Sequence, residues 1–260
     1  MSDGASPTEM AALVYAGEGV MAVERRPIPT PGPGEVRIAV SRCGICGTDL
    51  HLVLERYARP GSVLGHEWCG RVAELGAGVE GWAVGDRVVA APAPPCGACR
   101  ACRDGRPSVC RRRGATDYLS GQGAFTEYVA VEAARLRRVP DDVDDRAAAL
   151  TEPLAVALHA LTLSGAEPGD RVLVTGAGPL GLLVVAALRA RGIAEVTVSE
   201  PAPLRRAQAE RVGAHTLEPG DLPVPPMGEP VAAPFDRAFE CSGRADAATS
   251  ALDQLDRAGR

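Results

Sequence analysis

The sequence feature that most limits the possible folds of this chain is a short apolar strand followed by closely spaced glycines and then a helix. Val172, Leu173 and Val174 precede a turn that contains Gly176 and Gly178, and an apolar stretch then continues to residue 188. In this context the glycines let backbone N–H groups and the helix N-terminus hold a pyrophosphate. The stretch therefore predicts a dinucleotide site on a parallel α/β sheet.

The chain after residue 170 repeats this alternation of strands and helices. Strands are predicted at 171–175, 195–199 and 235–241, and helices at 179–191, 203–212 and 245–257. The proline-rich stretch 218–234 interrupts the pattern and cannot hold a regular helix. Such alternation is typical of βαβ units, so we expect a doubly wound parallel sheet. It is expected to be incomplete, because the sequence stops at Arg260, where a further strand would follow.

The first half of the chain has a different pattern. Between Val14 and Val139, short β-like runs are broken by Gly and Pro, as at 35–40, 72–75, 87–90 and 125–131. This spacing favours a small, partly open β-barrel over a parallel sheet. Residues 141–160 then have few helix breakers and predict a linking helical region. We place the domain boundary at 155, with domains at 1–155 and 156–260.

An acidic residue after the second α/β strand indicates which dinucleotide is bound. Glu200 ends that strand, 19 residues beyond Gly181. A carboxylate there hydrogen-bonds ribose hydroxyls and repels a 2′-phosphate, so NAD is favoured over NADP. Arg205 and Arg206 follow closely and could soften this preference.

Composition excludes several other functions. All 28 basic residues are Arg, and the lack of Lys excludes a Schiff-base or P-loop lysine. A net charge of -5 gives no basic surface for nucleic acid. Residues 1–9 lack a signal peptide's basic and apolar regions, and the uncharged stretch 172–188 is too short and glycine-rich for a membrane span. We therefore expect a cytoplasmic protein with reduced cysteines and no membrane or nucleic-acid partner.

Four cysteines are spaced as a metal site. Cys96, Cys99, Cys102 and Cys110 form C-x2-C-x2-C-x7-C in a loop rich in Pro, Gly and Arg. Four thiolates suit a closed, tetrahedral structural Zn²⁺ site. An iron–sulfur cluster is the competing interpretation, but ferredoxin runs continue as C-x3-C-P. Buried free thiols are the third possibility, and the spacing argues most strongly for zinc.

A second group of residues combines different ligand types. Cys46 is followed by His66 and Glu67, and Glu152 supplies another carboxylate near the domain junction. A thiolate, an imidazole and a carboxylate form the mixed set of catalytic zinc sites, which keep one position open. A single buried His is more often a hydrogen-bonded core residue. The combination of residues therefore carries this hypothesis.

Taken together, these motifs resemble those of the zinc-dependent medium-chain alcohol dehydrogenases, in the branch with threonine, sorbitol and butanediol dehydrogenases. The resemblance covers about residues 11–257. It implies a GroES-like barrel as catalytic domain and a Rossmann domain that is only partial. It is carried by residues 44–51, 65–67, 85–88, 152–154 and 176–181, by Gly70, Gly76 and Val79, and by the four cysteines.

The resemblance also implies roles for individual residues. Cys46 and His66 become catalytic zinc ligands, with either Glu67 or Glu152 as the third, whereas Cys43 falls outside the ligand positions. The implied proton relay consists of Thr48 and His51. The implied cofactor contacts are Gly176, Gly178, Leu180, Gly181, Glu200 and Arg205. The implied structural zinc ligands are Cys96, Cys99, Cys102 and Cys110.

The implied activity is hydride transfer from a secondary alcohol or polyol to NAD, with two Zn²⁺ per chain. Zinc would lower the pKa of the alcohol, and the nicotinamide would accept the hydride. The alternative is a non-catalytic zinc- and dinucleotide-binding remnant of such an enzyme. A homo-oligomer is a further possibility that the resemblance leaves open, because the family's dimer strand would follow Arg260. Leu52, Tyr57 and Trp68 are candidate pocket residues or, equally, core residues.

Overall fold

The computed structural model describes residues 8–91, 95–112, 122–225 and 229–259. Most of the predicted N-terminal segment 1–9, and residues 226–228 of the proline-rich stretch, lie outside the described residues. The chain divides into two compact units, Met1–Glu152 and Pro153–Arg260. Each unit is described by itself.

The first unit is antiparallel. A five-stranded sheet has the order β6-β3-β4-β5-β7, and β1 and β2 form a separate hairpin. Backbone bridges Ala12–Thr126 and Val14–Val63 connect that hairpin to the segments around the sheet. The predicted partly open β-barrel is therefore confirmed. Its strands are β1 (Glu9–Gly17), β2 (Val20–Pro27), β3 (Glu35–Gly44), β4 (Glu67–Leu75), β5 (Arg87–Ala90), β6 (Tyr128–Glu132) and β7 (Leu136–Arg138).

Small β-branched residues fill the barrel, as the 3% aromatic content requires. Val36, Ile38 and Val72 are at most 2% exposed and alternate with more exposed neighbours along β3 and β4, whereas Val88 and Val89 of β5 are both buried. This period of two is what a sheet with one buried face demands. Trp68 is the single large aromatic in the core cluster formed by these buried residues.

Short helices connect the strands of the first unit. They are α1 (Gly47–Leu54), α2 (Arg100–Arg103) and α3 (Asp145–Ala149), with 3-10 turns at Pro107–Val109 and Ala133–Arg135. The pattern of β-like runs did not predict α1, whose only fully buried side chain is Asp49. A charged residue at the buried position of a helix hides the apolar periodicity that would reveal it.

The second unit is a parallel sheet with the order β10-β9-β8-β11. The division between the units falls within helix α4 (Thr151–Ser164). Val172, Val174, Val196 and Val198 form the buried centre of the sheet against the α5 residues Val184 and Leu188. The parallel α/β prediction is confirmed. The remaining elements are β8 (Arg171–Thr175), α5 (Pro179–Ala190), β9 (Glu195–Ser199), α6 (Pro203–Arg211), β10 (His215–Leu217), β11 (Arg237–Glu240) and α7 (Ala245–Asp253).

One feature of the second unit differs from the expectation: β10 lies before the proline-rich stretch, where no strand was predicted. The described residues of the proline-rich stretch itself hold a 3-10 turn, Pro219–Asp221. A three-residue edge strand has too few residues to show an alternating pattern. Among the described residues, no helix combines the length and the apolar character needed to cross a membrane.

An Arg–Asp contact secures the end of the barrel. Arg87 donates from Nε and Nη2 to Asp145 Oδ1, at 3.1 and 2.7 Å, and from Nη2 to the Val143 carbonyl. Hydrogen bonds from this guanidinium hold the pKa of Asp145 below its ordinary value. The carboxylate therefore contributes stability above its unfolded-state pKa of about 4, and that contribution is lost as pH falls through the lower folded-state pKa.

We expect Asp145→Asn to lower the free energy of unfolding by roughly 1 kcal/mol at neutral pH, because it removes a charge-assisted bond at a partly exposed site. The difference from wild type should shrink as pH falls below about 4. Urea unfolding at a series of pH values measures this, with exposed Asp142→Asn as the control. An Asp145→Asn deficit that is the same at acid and neutral pH would contradict the assignment.

Candidate metal centres and dinucleotide site

Three ligand types meet where β3, α1 and β4 come together. Cys46 caps the N-terminus of α1, His66 immediately precedes β4, and Glu67 is the first residue of β4. One ligand atom from each of these side chains lies within 4.8 Å of those of the others. The β3–β4 register pairs Glu67 with Gly44, where a Cβ would collide with the Glu67 carboxylate. The glycine thus makes room for the carboxylate beside the other two ligands.

The side chain of Asp49 contacts the segments that carry Cys46 and His66. Its carboxylate is 2% exposed. Oδ2 accepts the Cys46 N–H at 2.9 Å, and Oδ1 accepts the Gly65 N–H at 3.2 Å. Oδ1 also lies 3.5 Å from Nδ1 of His66. A carboxylate on one ring nitrogen fixes the tautomer of a ligating His and leaves the other nitrogen for a metal.

The electrostatics of the site follow from burial and these negative charges. Burial alone would lower the pKa of His66, but the Asp49 hydrogen bond and the charges of Asp49, Glu152 and Glu67 raise it above its ordinary value. Burial, with the charges of Glu67 and Asp49, raises the pKa of Glu152. A bound divalent cation would relieve this crowding of carboxylates.

Glu152 lies close enough to His66 for their charges to interact, but it is outside the set of described residues within 4.8 Å. Burial raises the pKa of Cys46, whereas hydrogen bonds from the Thr48 backbone and hydroxyl lower it. Thr48 is therefore beside the thiol. His51, whose side chain is 73% exposed, has Nδ1 2.9 Å from Glu55 Oε1.

The four cysteines of the second motif also converge. Their sulfur atoms all lie within 4.8 Å of one another. Cys99 Sγ is 3.5 Å from Cys102 Sγ and 3.9 Å from Cys110 Sγ. These separations are too long for disulfides, and they match the edge of about 3.8 Å that a tetrahedron with ~2.3 Å Zn–S bonds requires. The donor set and its geometry fit a closed zinc site.

Backbone groups prepare this site for thiolates. Hydrogen bonds from the backbone N–H groups of Cys102 and Arg111 lower the pKa of Cys99 to about 6. The Cys96 N–H lies 3.3 Å from Cys110 Sγ, and its hydrogen bond lowers the pKa of Cys110. Since metals bind the thiolate form, these contacts favour metal binding through Cys99 and Cys110, whereas burial and the neighbouring thiols raise the pKa of Cys102 to about 12.

The second unit contains a cavity of about 500 Å³ at the carboxyl ends of its strands. It opens beside β8 and β11. From β8, the strands β9 and β10 are added on one side of the sheet and β11 on the other, and open α/β sheets bind ligands at such switch points. Of the residues predicted to contact the cofactor, Gly176, Gly178, Glu200 and Arg205 line this cavity. Leu180 and Gly181 are not among its lining residues.

The glycine turn is tightly packed below this cavity. Gly176 has φ +94°, and a Cβ there would lie 2.9 Å from the Ser242 backbone nitrogen. At Gly181 a Cβ would overlap the Gly176 carbonyl, while the half-buried Leu180 packs against the core of the unit. Gly181 thus permits close helix–strand packing, which is the role expected of the third glycine in the motif.

Glu200 is buried, at 3% exposure, and links two loops at the cavity. Oε2 accepts the Ala177 N–H of the glycine turn at 2.8 Å, and Oε1 accepts the Ala202 N–H before α6 at 2.9 Å. Each oxygen keeps a further acceptor site for a ribose hydroxyl.

Sequence reasoning missed Asp49, although its place three residues after Cys46 is the position of a helix-capping acid. Arg206 was predicted to soften the preference for NAD, but not to donate to the Glu200 and Pro201 carbonyls, as it does. Of the candidate pocket residues, Trp68 is 7% exposed within the barrel core and Tyr57 is 71% exposed. Trp68 is therefore a packing residue.

We expect Asp49→Asn to weaken zinc binding at the mixed site about 10- to 100-fold, because Asn cannot accept both backbone N–H groups and leaves His66 without its carboxylate. Competition with a chromogenic chelator measures the two zinc affinities separately. Exposed Glu55→Gln is the control on the same helix. Wild-type affinity at both sites in a folded Asp49→Asn protein would refute the orienting role of Asp49.

Removal of one thiolate from the four-cysteine site is expected to abolish that site alone. Cys102→Ala should carry one zinc fewer per chain and melt roughly 5 °C or more below wild type. Elemental analysis and calorimetry provide the readouts. Ser108→Ala, an exposed change in the same loop, should alter neither, and an unchanged melt for Cys102→Ala would count against a structural zinc.

Comparison with known proteins agrees with this geometry. Residues 32–141 match the model of the alcohol dehydrogenase GroES-like domain. The chain is 41% identical to L-threonine 3-dehydrogenase of Xanthomonas euvesicatoria over 212 residues, which is 79% of this chain but only 62% of that protein. It is 36% identical to sorbitol dehydrogenase of Halalkalibacterium halodurans over 261 residues, which is 96% of this chain and 75% of that protein.

A solved structure extends the similarity to both units. The zinc-binding dehydrogenase described from Sinorhizobium meliloti 1021, bound to NADP, superposes with a TM-score of 0.87 at 34% identity and covers 97% of this chain and 75% of that one. The clustering of candidate metal ligands in the barrel, the parallel sheet of the second unit and these matches agree. The chain belongs to the zinc-dependent medium-chain alcohol dehydrogenase family.

Proposed function

We propose that this protein is a zinc-dependent oxidoreductase that transfers a hydride from a secondary alcohol or polyol to NAD. The observation that carries the proposal is the meeting of Cys46, His66 and Glu67 over the buried carboxylate of Asp49. A mixed thiolate, imidazole and carboxylate set is typical of a zinc site that keeps a position open for substrate. The four-cysteine site has no such open position.

In this proposal Cys46 and His66 hold the catalytic zinc, which when bound acts as a Lewis acid on the alcohol oxygen. Glu67 is the better candidate for third ligand, because its carboxylate lies within 4.8 Å of the other two ligand atoms. Glu152 is the alternative third ligand. Its pKa is raised, so a nearby cation would stabilise the charged form of its carboxyl group. Asp49 orients His66, whose Nδ1 lies 3.5 Å from Oδ1 of the carboxylate.

The chain's own groups can carry the alcohol proton away. The Thr48 hydroxyl lies beside Cys46 and can accept a proton while donating its own. His51 is three residues along the same helix, so its side chain lies on the same side of α1. His51 is exposed and paired with Glu55, and it can release the proton to solvent.

The cofactor half of the proposal rests on the cavity of the second unit. The N-terminus of α5 and the Gly176–Gly178 turn would hold the pyrophosphate, and Glu200 would accept ribose hydroxyls. The carboxylate favours NAD. The S. meliloti relative carries NADP, and Arg205, which lines the same cavity, is the residue that could accommodate the additional phosphate.

The names of the relatives support the substrate class. Threonine 3-dehydrogenase and sorbitol dehydrogenase act on small hydroxylated molecules with secondary alcohol groups. We propose the same substrate class here. Because this chain spans 62% of the threonine enzyme, the activity itself is part of the proposal. Cytoplasmic location and a homo-oligomer stay predictions of the sequence.

Cys46→Ser should reduce NADH formation from threonine, sorbitol or 2,3-butanediol at least about 1,000-fold, because a Ser hydroxyl is a poor zinc ligand. The melting temperature and the four-cysteine zinc should be retained. Cys43→Ser, a matched change three residues earlier, should keep turnover. Equal turnover by Cys46→Ser and wild type would overturn the proposed role of Cys46.

The same assay separates the alternative function. If wild type binds NAD in calorimetry, holds two zinc ions and forms no NADH with any of these alcohols, the chain is a zinc- and dinucleotide-binding protein without this activity. Turnover of any of them excludes that alternative.

A further inference from the structure

Two adjacent arginines at the dinucleotide cavity have different surroundings. Arg206 is largely buried, with its side chain 18% exposed. Its Nη1 donates to the Glu200 and Pro201 carbonyls, each at 2.8 Å, and its Nη2 donates to Glu218 Oε1 at 2.7 Å. This guanidinium therefore joins the end of β9 to the segment that follows β10.

Arg205 has none of these contacts. It is exposed and lines the cavity. Within the described part of the chain, its side chain forms no ion pair and no hydrogen bond to another residue. Its charge is therefore available to a ligand, whereas that of Arg206 is used inside the protein.

Arg206 acts on both walls of the cavity. Its bonds to the Glu200 carbonyl restrain the backbone that carries the Glu200 carboxylate. Its ion pair with Glu218 restrains the start of the 3-10 turn, whose Pro219 and Gly220 line the cavity. Planar guanidinium geometry suits this role, since one group can hold two carbonyls and a carboxylate at once.

We propose that Arg206 is a positioning residue for cofactor choice: it presents the Glu200 carboxylate to the cofactor ribose, while the free Arg205 favours a 2′-phosphate. The inference rests on the proposed use of NAD. Hydrogen bonds from Glu200 to ribose hydroxyls depend on the placement of the carboxylate, so they weaken when its backbone is released. Exclusion of a 2′-phosphate weakens for the same reason, and the preference for NAD over NADP falls.

The test compares dissociation constants for NAD and NADP, measured by isothermal titration calorimetry on the full chain. The main variant is Arg206→Gln with Glu218→Gln, which removes the ion pair without changing net charge at the rim. We expect NAD to bind about tenfold more weakly and NADP to change less than about threefold, as loss of one charge-assisted hydrogen bond to NAD implies.

Arg205→Gln is the matched control and should act in the opposite direction. It should weaken NADP more than NAD and so increase the preference for NAD. Opposite shifts from neighbouring arginines would support the division of roles. The inference would be overturned if the folded double variant bound both dinucleotides with equally weakened affinity, or with unchanged affinity. A purely structural role of Arg206 leaves the ratio of the NAD and NADP dissociation constants constant.

Two further results are possible, loss of dinucleotide binding by the wild type and failure of the double variant to fold. If wild type binds neither dinucleotide, the proposed cofactor use fails and the inference fails with it. If the double variant does not fold, Arg206→Lys replaces it, since an ammonium can keep the Glu218 pair but cannot span both carbonyls. Arg206→Lys should give a smaller fall in the NAD preference, and an unchanged ratio would again overturn the proposal.

Discussion

The buried carboxylate of Asp49 is the interaction on which the proposed catalytic site depends. Removing a charge from water is costly unless hydrogen bonds and opposite charge compensate. Here two backbone N–H groups and the nearby His66 ring supply that compensation, and they come from α1 and from the turn before β4. Satisfying this carboxylate therefore brings the Cys46 thiol and the His66 imidazole to one place. A bound cation would add to the compensation.

The second unit uses the same physical solution for a different ligand. Glu200 is also nearly fully buried, and its two oxygens accept N–H groups from the glycine turn and from the start of α6. In each unit, a buried acid connects two loops at the end of regular elements and so shapes the site. The strands and helices supply rigidity, and the acids supply the position of the functional groups.

The sequence predicted the elements whose signals are local. The four-cysteine site, the glycine turn and Glu200 each depend on residues close together in the chain, and the apolar strands β8 and β9 have the bounds that were predicted. It did not predict α1 or the true start of β4, which was placed at residue 72 and begins at Glu67. Gly65 and Gly70 interrupt the apolar alternation there, although Gly70 is needed because a Cβ would overlap the Ala39 carbonyl of the neighbouring strand. The spacing of a helix-capping acid predicts the contact of Asp49 with Cys46, but no spacing in the chain reveals the contacts of Asp49 with Gly65 and His66 or that of Arg206 with Glu218.

We propose that this chain builds two zinc sites of different kinds, a closed one from four cysteines and an open one beside Asp49. Elemental analysis of the purified wild-type protein tests it most directly. We expect two zinc ions per chain. One zinc ion per chain would show that only one of the two sites forms and would contradict the claim, as would iron in place of zinc.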